Sequence, residues 1–277
     1  MDASVYTLPK VDTHCHVLDP QGFAYADDVA YRPAGQETGT AAYFGQVLDA
    51  YGVQHALLVG PNSGYGTDNR CLLAAIAASP QRFKGIAVVP NDAPASYLQE
   101  LKSKGIVGIA FNFALHGLDC YADTAPLMAR LADLGMFVQV QFELAQMHAL
   151  KARLLDSGAQ LLIDHCGRPD VSAGLEGDGF TAVLQLADSG RATVKLSGFA
   201  KYSAQPFPFD DTLPYVQALL AAYGPGNCIW ASDWPFLRAS SRLDYGTLLQ
   251  LFARQVPDAH DHQAILWDTP RRLFGFA

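Results

Sequence analysis

Short apolar runs alternate with helix-length segments eight times along this chain, and that alternation constrains the fold more than any other feature. The runs are Lys10–His16, His55–Gly60, Ile86–Pro90, Val107–Phe113, Met136–Gln141, Gln160–Asp164, Ala192–Leu196 and Cys228–Ser232. They are mostly continuous rather than alternating in polarity, as expected of strands covered on both faces. The segments between them carry helix-stop signals: Gly52, Pro80, Gly105, Gly135, Gly158, Gly190 and Gly224. Thr40 caps the first helix, which runs to about Tyr51, and the last helical segment covers about Asp261–Phe274. Strands alternating with helices imply parallel pairing through right-handed crossovers. Eight such units in 277 residues predict a single-domain (β/α)8 TIM-type barrel over residues 1–277, since that fold needs roughly 250 residues. A doubly wound open sheet is the alternative, but no G-x-G-x-x-G follows the first strand.

Charge and cysteine usage narrow the partners. A net charge of −8 argues against nucleic acid or an anionic membrane as partner, so an anionic ligand needs a local basic pocket. Only 17% of residues are charged against 50% hydrophobic, which points to extensive burial and allows for a homo-oligomer interface. The five cysteines (Cys15, Cys71, Cys120, Cys166, Cys228) form no C-x-x-C pair and are odd in number, which suits a reducing compartment. The opening Met-Asp-Ala-Ser-Val-Tyr has no basic region before an apolar run, and no apolar stretch approaches the ~18 residues of a membrane span. A cytoplasmic protein is expected.

The chemistry-bearing residues fall where such a barrel would use them. In Lys10-Val-Asp-Thr-His-Cys-His16, strand alternation sends His14 and His16 to one face and Cys15 to the other. Two imidazoles on one face at a strand end can hold a metal, a substrate carbonyl or an oxyanion. In (β/α)8 barrels functional residues gather at the C-terminal ends of the strands. Those ends carry His14 and His16, then Asn62 and Ser63, Asn112, Gln141, His165 with Arg168, Lys201 and Asp233. A lone histidine or aspartate at a strand end is usually a turn residue. Four such residues at strands one, six and eight together make a site. The aperiodic segment from about Val17 to Thr40, with Tyr25, Asp27, Asp28, Tyr31 and Arg32, is expected to line it.

The motifs His14-Cys-His16, Leu162-Ile-Asp-His-Cys-Gly-Arg-Pro-Asp170, Val194-Lys-Leu-Ser-Gly198, Ala231-Ser-Asp-Trp-Pro235 and Ile265-Leu-Trp-Asp-Thr-Pro-Arg-Arg-Leu-Phe-Gly275 resemble the amidohydrolase superfamily. More narrowly they resemble its 2-pyrone-4,6-dicarboxylate lactonase-like branch. The resemblance covers essentially the whole chain, and the D-H-C-G-R-P-D and S-D-W-P segments are its most specific parts. It implies a lactone hydrolase acting on an anionic pyrone or muconolactone-type intermediate of aromatic catabolism. Asp233 would activate water, and His14, His16 and His165 would surround the ring ester carbonyl and stabilise its oxyanion. Arg168 would grip a substrate carboxylate, and Lys201 stands roughly where the family places an arginine. The strand-four position that can carry another arginine is Ala110 here, and Arg238 is a candidate to replace it. Asn62, Ser63, Asn112 and Gln141 are the remaining substrate contacts expected.

His14, His16, His165 and Asp233 would also suit one Zn²⁺ or Mn²⁺. Metal-dependent members of the superfamily usually add a strand-four carboxylated lysine or glutamate, or a strand-five histidine, whereas the corresponding ends here read Phe-Asn-Phe and Gln-Phe-Glu. A binuclear site is not expected, and the resembled branch works without a metal, so no cofactor is the expectation. The rival readings are a metal-dependent decarboxylase of the same superfamily and a non-catalytic small-molecule binding barrel. Cys15 and Cys166 are expected to be inert, and His116, His148, His260 and His262 to lie at the surface. Tyr25, Tyr65, Phe142 and Trp234 are divided between shaping the pocket and ordinary packing.

Overall fold

Eight strands pair in sequence order, each parallel to the next: β1 (Lys10–Cys15), β2 (Val53–Val59), β3 (Phe83–Ala87), β4 (Ile106–Asn112), β5 (Phe137–Gln141), β6 (Leu161–Ile163), β7 (Ala192–Leu196) and β8 (Cys228–Trp230). A helix follows each strand, from Ala41–Ala50 after β1 to Tyr245–Gln255 after β8. This computed structural model, a (β/α)8 barrel, describes residues 4–277. Residues 1–3, where the expected domain begins, lie outside the described residues. No helix among the described residues is long and apolar enough to cross a membrane.

The barrel closes beyond the end of β8. Asp233 N donates to His14 O and His16 N donates to Trp234 O, both at 2.8 Å. Thr13 Oγ1 donates to Trp230 O at 2.7 Å. A second fastening lies beside this seam. The fully buried Asp12 carboxylate accepts from Ser232 N at 3.0 Å, Ser232 Oγ at 2.5 Å and Tyr245 OH at 2.9 Å. The β1 register shifts between Asp12 and Cys15. Simple alternation would put Asp12 on the face of His14 and His16, but the shift sets it among donors from the β8 loop and its helix.

The barrel interior is layered. Val11, Leu57, Ile86, Phe137, Leu162 and Ile229 form an apolar plug, closed below by Phe274 and Phe276 from the chain's end. Above it the interior turns polar, with Gln139, Asp164 and Lys195, all buried. The larger apolar cluster packs between strands and helices and contains Cys15, Phe44, Phe111, Phe142 and Trp230.

Most element boundaries agree with the sequence pattern to within a few residues. β3 begins earlier than its apolar run, at Phe83, because Gly85 is a strand residue. A Cβ there would come within 2.7 Å of Ile106 Cδ1 and 2.8 Å of Ile76 Cδ1, so helix and sheet pack too closely for a side chain. The final helical segment is three pieces: Ala259–Gln263, a π-helical turn at Ala264–Asp268, and Thr269–Phe274. His262 is buried rather than at the surface, with Nε2 donating to Val256 O at 2.5 Å. His116, His148 and His260 are exposed as expected.

The Asp12 fastening is testable. Tyr245→Phe removes one of its donors and should lower stability by about 1–3 kcal/mol, the usual cost of a lost buried hydrogen bond. Urea unfolding should show a lower midpoint at unchanged slope.

Candidate active site

The C-terminal ends of the strands surround a cavity of about 540 Å³. All eleven residues singled out for catalysis or binding line it: His14, His16, Asn62, Ser63, Asn112, Gln141, His165, Arg168, Lys201, Asp233 and Arg238. The aromatic walls are Phe111, Phe199 and Phe236, and none of Tyr25, Tyr65, Phe142 and Trp234 is among the lining residues. Trp234 instead stacks on Phe44, with ring centroids 4.4 Å apart. The 17–40 segment does not line the cavity directly. It braces the rim, where Glu37 Oε1 accepts from Arg238 N at 2.6 Å and the Arg238 guanidinium lies over the Tyr31 ring.

At the centre is the Asp233 carboxylate. Its Oδ1 lies 3.8 Å from each of His14 Nε2, His16 Nε2 and His165 Nε2, and Lys201 Nζ sits 2.9 Å from Oδ2. His165 and Asp233 both adopt left-handed backbone conformations, with φ of 52° and 61°. Such angles are costly for residues with a Cβ and persist where surrounding structure enforces them. At Asp233 the seam to His14 does so. At His165 the neighbour Gly198 makes room, since a Cβ there would lie 2.6 Å from the imidazole.

Each imidazole is oriented from behind. His16 Nδ1 donates to Val59 O at 2.8 Å, and His165 Nδ1 lies 3.1 Å from Ser197 Oγ. His14 Nδ1 lies 3.1 Å from Asp164 Oδ1 and 3.2 Å from Lys195 Nζ. Lys195 Nζ also lies 3.0 Å from Asp164 Oδ1 and donates to Gln139 Oε1 at 2.6 Å, while Gln139 Nε2 donates to Asp164 Oδ2 at 3.0 Å. Sequence reasoning missed this network of Gln139, Asp164 and Lys195. The available signal was a polar residue flanked by apolar ones in β5 and β7, where alternation points it into the barrel.

Electrostatics follows from burial and these pairings. Burial alone would raise the Asp233 carboxyl pKa. Lys201 and the three histidines outweigh it and hold the group well below the usual carboxylate range. Burial likewise works against ionised Asp164, but Lys195 and His14 keep its carboxyl low. Burial, reinforced by neighbouring His14, pushes the His16 imidazole down to about 4. Burial also takes His165 well below its ordinary value. Beyond the centre, Arg168 Nη1 pairs with Glu143 Oε1 at 3.0 Å.

The donor set fits a single divalent cation. His14, His16 and Asp233 offer ligand atoms converging within metal-binding distance of one another, with His165 Nε2 at the same separation from Asp233 Oδ1. The Val59 carbonyl can only accept, so neutral His16 carries its proton on Nδ1 and turns the Nε2 lone pair toward Asp233. An outer partner fixing the ring in this way is characteristic of metal-ligating histidine. His14 is not fixed to one tautomer, because its Nδ1 faces both an acceptor, Asp164, and a donor, Lys195.

Comparison with known proteins gives one family and consistent relatives. A family model described as amidohydrolase matches residues 11–276. The 4-sulfomuconolactone hydrolase of Rhizobium radiobacter is 30% identical over 281 residues, covering 98% of this chain and 92% of that protein. The 2-pyrone-4,6-dicarboxylate hydrolase of Comamonas testosteroni is 25% identical over 284 residues, covering 97% of this chain and 92% of that protein. A crystal structure from Acinetobacter baumannii, described as a probable 2-pyrone-4,6-dicarboxylic acid hydrolase with citric acid bound, superposes with a TM-score of 0.84 at 30% identity. It covers 96% of this chain and 99% of that one.

Two stability measurements probe the electrostatics. Lys195→Met leaves the Asp164 carboxylate buried without its cation and should cost about 3–5 kcal/mol, read as a lower urea midpoint. The second concerns pH. Unfolded His16 takes up a proton near its ordinary value of 6.5, whereas the folded site resists protonation until about 4. The unfolded state therefore binds more protons within that window, so stability falls as pH drops through it and this contribution is flat above it. Chemical unfolding at stepped pH should show that decline, and His16→Gln should reduce it.

Proposed function

The chain belongs to the amidohydrolase family, and from that premise we propose that it hydrolyses the ring ester of an anionic lactone, a pyrone or muconolactone-type intermediate of aromatic-compound breakdown. The observation that carries this reading is the Asp233 carboxylate, ringed by three imidazoles at 3.8 Å within a cavity that also holds Lys201, Arg168 and Arg238. The names of the relatives, both lactone hydrolases, support it.

In this reading the cations at the cavity wall hold the substrate's anionic group and bring the ring carbonyl over the histidines. Asp233 accepts a proton from water as the water oxygen bonds to the carbonyl carbon. The tetrahedral intermediate collapses with cleavage of the ring carbon–oxygen bond, and the proton held on Asp233 passes to the departing oxygen. The product is the open-chain acid, one water heavier than the lactone. A carboxylate held well below its usual pKa is a weak base. A substrate anion that draws Lys201 Nζ away from Oδ2 removes the leading charge that lowers it, so docking strengthens the base.

His14, His16, His165 and Asp233 would hold one Zn²⁺ or Mn²⁺, which would supply Lewis-acid polarisation of the ester carbonyl. The fixed Nε2 lone pair of His16 favours this over the metal-free expectation at that residue. At His14 a hydrogen bond donated by Lys195 to the Nδ1 lone pair would place the ring proton on Nε2, where it is available to an oxyanion. We also propose a cytoplasmic location, resting on five cysteines that are all unpaired.

The test is ultraviolet-monitored ring opening of a panel containing muconolactone and 2-pyrone-4,6-dicarboxylate, with the purified protein assayed as isolated and after chelator dialysis. At least one lactone should be opened, and Asp233→Asn should lower kcat by ~10²–10⁴-fold, the usual contribution of a positioned base. A protein that opens no lactone, or an undiminished Asp233→Asn variant, would overturn the reading. Loss of activity with the chelator, restored by Zn²⁺ or Mn²⁺, would assign the cation, and unchanged activity would remove it.

A further inference from the structure

We propose that Glu143 sets the charge of the substrate, holding Arg168 in an internal ion pair so that the cavity takes lactones bearing one anionic group in preference to two. The inference rests on the lactonase reading of the same site.

Six ionisable side chains other than histidine line the cavity: the cations Arg168, Lys201 and Arg238, and the carboxylates Glu143, Asp164 and Asp233. Two of the cations are already matched, Lys201 to Asp233 at 2.9 Å and Arg168 to Glu143 at 3.0 Å. Asp164 is matched from within the barrel by Lys195 at 3.0 Å. Among the described residues this leaves Arg238 as the lining cation without a carboxylate partner. β4 contributes the side chain of Ala110 to the lining, and Asn62, Ser63, Asn112 and Gln141 are neutral.

Glu143 is about half exposed, but its backbone is fixed. It is the N-cap of the helix Leu144–Asp156, where Gln146 N donates to Glu143 O and Gln146 Oε1 accepts from Glu143 N, both at 2.8 Å. The positive end of the helix dipole adds to its hold on a negative charge. The partner is equally placed. Arg168 sits in a left-handed turn three residues after His165, its side chain largely buried, and its Nε finds no acceptor. A carboxylate therefore occupies one side of a guanidinium that faces the cavity. A second substrate carboxylate could reach Arg168 only by displacing Glu143 or by lying beside it. The first exchanges one charge-assisted pair for another with little gain, and the second sets two like charges together.

The experiment compares kcat/KM for muconolactone, with one carboxylate, and 2-pyrone-4,6-dicarboxylate, with two, in the wild type, Glu143→Gln and Glu143→Ser. Glutamine keeps an oxygen for the helix cap. Serine caps well and is too short to reach Arg168. The wild type should favour muconolactone, and both variants should shift the ratio toward the dicarboxylate by about tenfold or more, mainly through KM, as expected when a like charge is removed from a binding site. A wild-type preference for the dicarboxylate, or a ratio unmoved in both variants, would overturn the proposal. Calorimetric titration with benzoate and isophthalate separates this from the lactonase reading. If no lactone is opened, that reading fails, while a variant-dependent gain in isophthalate binding still supports the role of Glu143 and its absence defeats it.

Discussion

The hydrogen-bonded seam between the end of β8 and β1 is the constraint on which the rest of the molecule depends. β8 is only three residues long, and closure is completed past its end by Asp233 N on His14 O and by Trp234 O receiving His16 N. The residues that close the barrel are therefore the residues of the candidate site. The seam fixes Asp233 at an equal distance from three imidazoles and enforces its left-handed backbone. Asp12, gathering donors from Ser232 and Tyr245, holds the two sides together from behind. Stability and the geometry of the candidate site are thus coupled through one set of contacts.

A barrel that closes this way must still fill its interior, and the filling changes character with height. The lower interior is apolar, and Phe274 and Phe276 stopper it. Higher up, the Gln139–Asp164–Lys195 network costs desolvation that an apolar layer would avoid. It is tolerable because the three groups satisfy one another at 2.6–3.0 Å. In return it presents a fixed partner to His14 Nδ1. Rigid orientation of an imidazole from below is difficult to obtain with aliphatic side chains alone.

The barrel was legible because burial on both faces leaves continuous apolar runs, and because glycines such as Gly105 and Gly135 mark the helix ends. The site was legible because the fold rule sends strand-end residues to one mouth: His14, His16, His165 and Asp233 meet there across more than two hundred residues of sequence. What escaped depends on three-dimensional pairing. Lys195 in Thr-Val-Lys-Leu reads as an ordinary strand polar residue until Asp164 and Gln139 are seen opposite it. Glu143 reads as a helix cap, which it is, and nothing in its neighbours announces Arg168. Asp12 was concealed by a register shift that breaks the period-two rule within a single strand. His262 reads as a surface residue because the π-helical turn that follows it has no sequence signature comparable to a cap.

Apart from Arg238, the charged side chains lining the cavity are paired, and in the proposed reaction that links binding to chemistry. Asp164 and Lys195 are buried and locked, and Glu143 is tied to a helix terminus. Lys201 is different: its side chain keeps about a quarter of its exposure while touching Asp233 Oδ2. It is thus the charge at the centre with the most freedom to respond to an incoming anion. Any such response weakens its hold on Asp233, and burial, which favours the protonated carboxyl, is then less strongly opposed. A neutral ligand of the same shape would leave the Lys201–Asp233 pair intact and the carboxylate a poor acceptor. In the proposed reaction, selection for an anionic substrate would therefore arise in the basicity of Asp233 as well as in affinity, with the two linked through a single lysine.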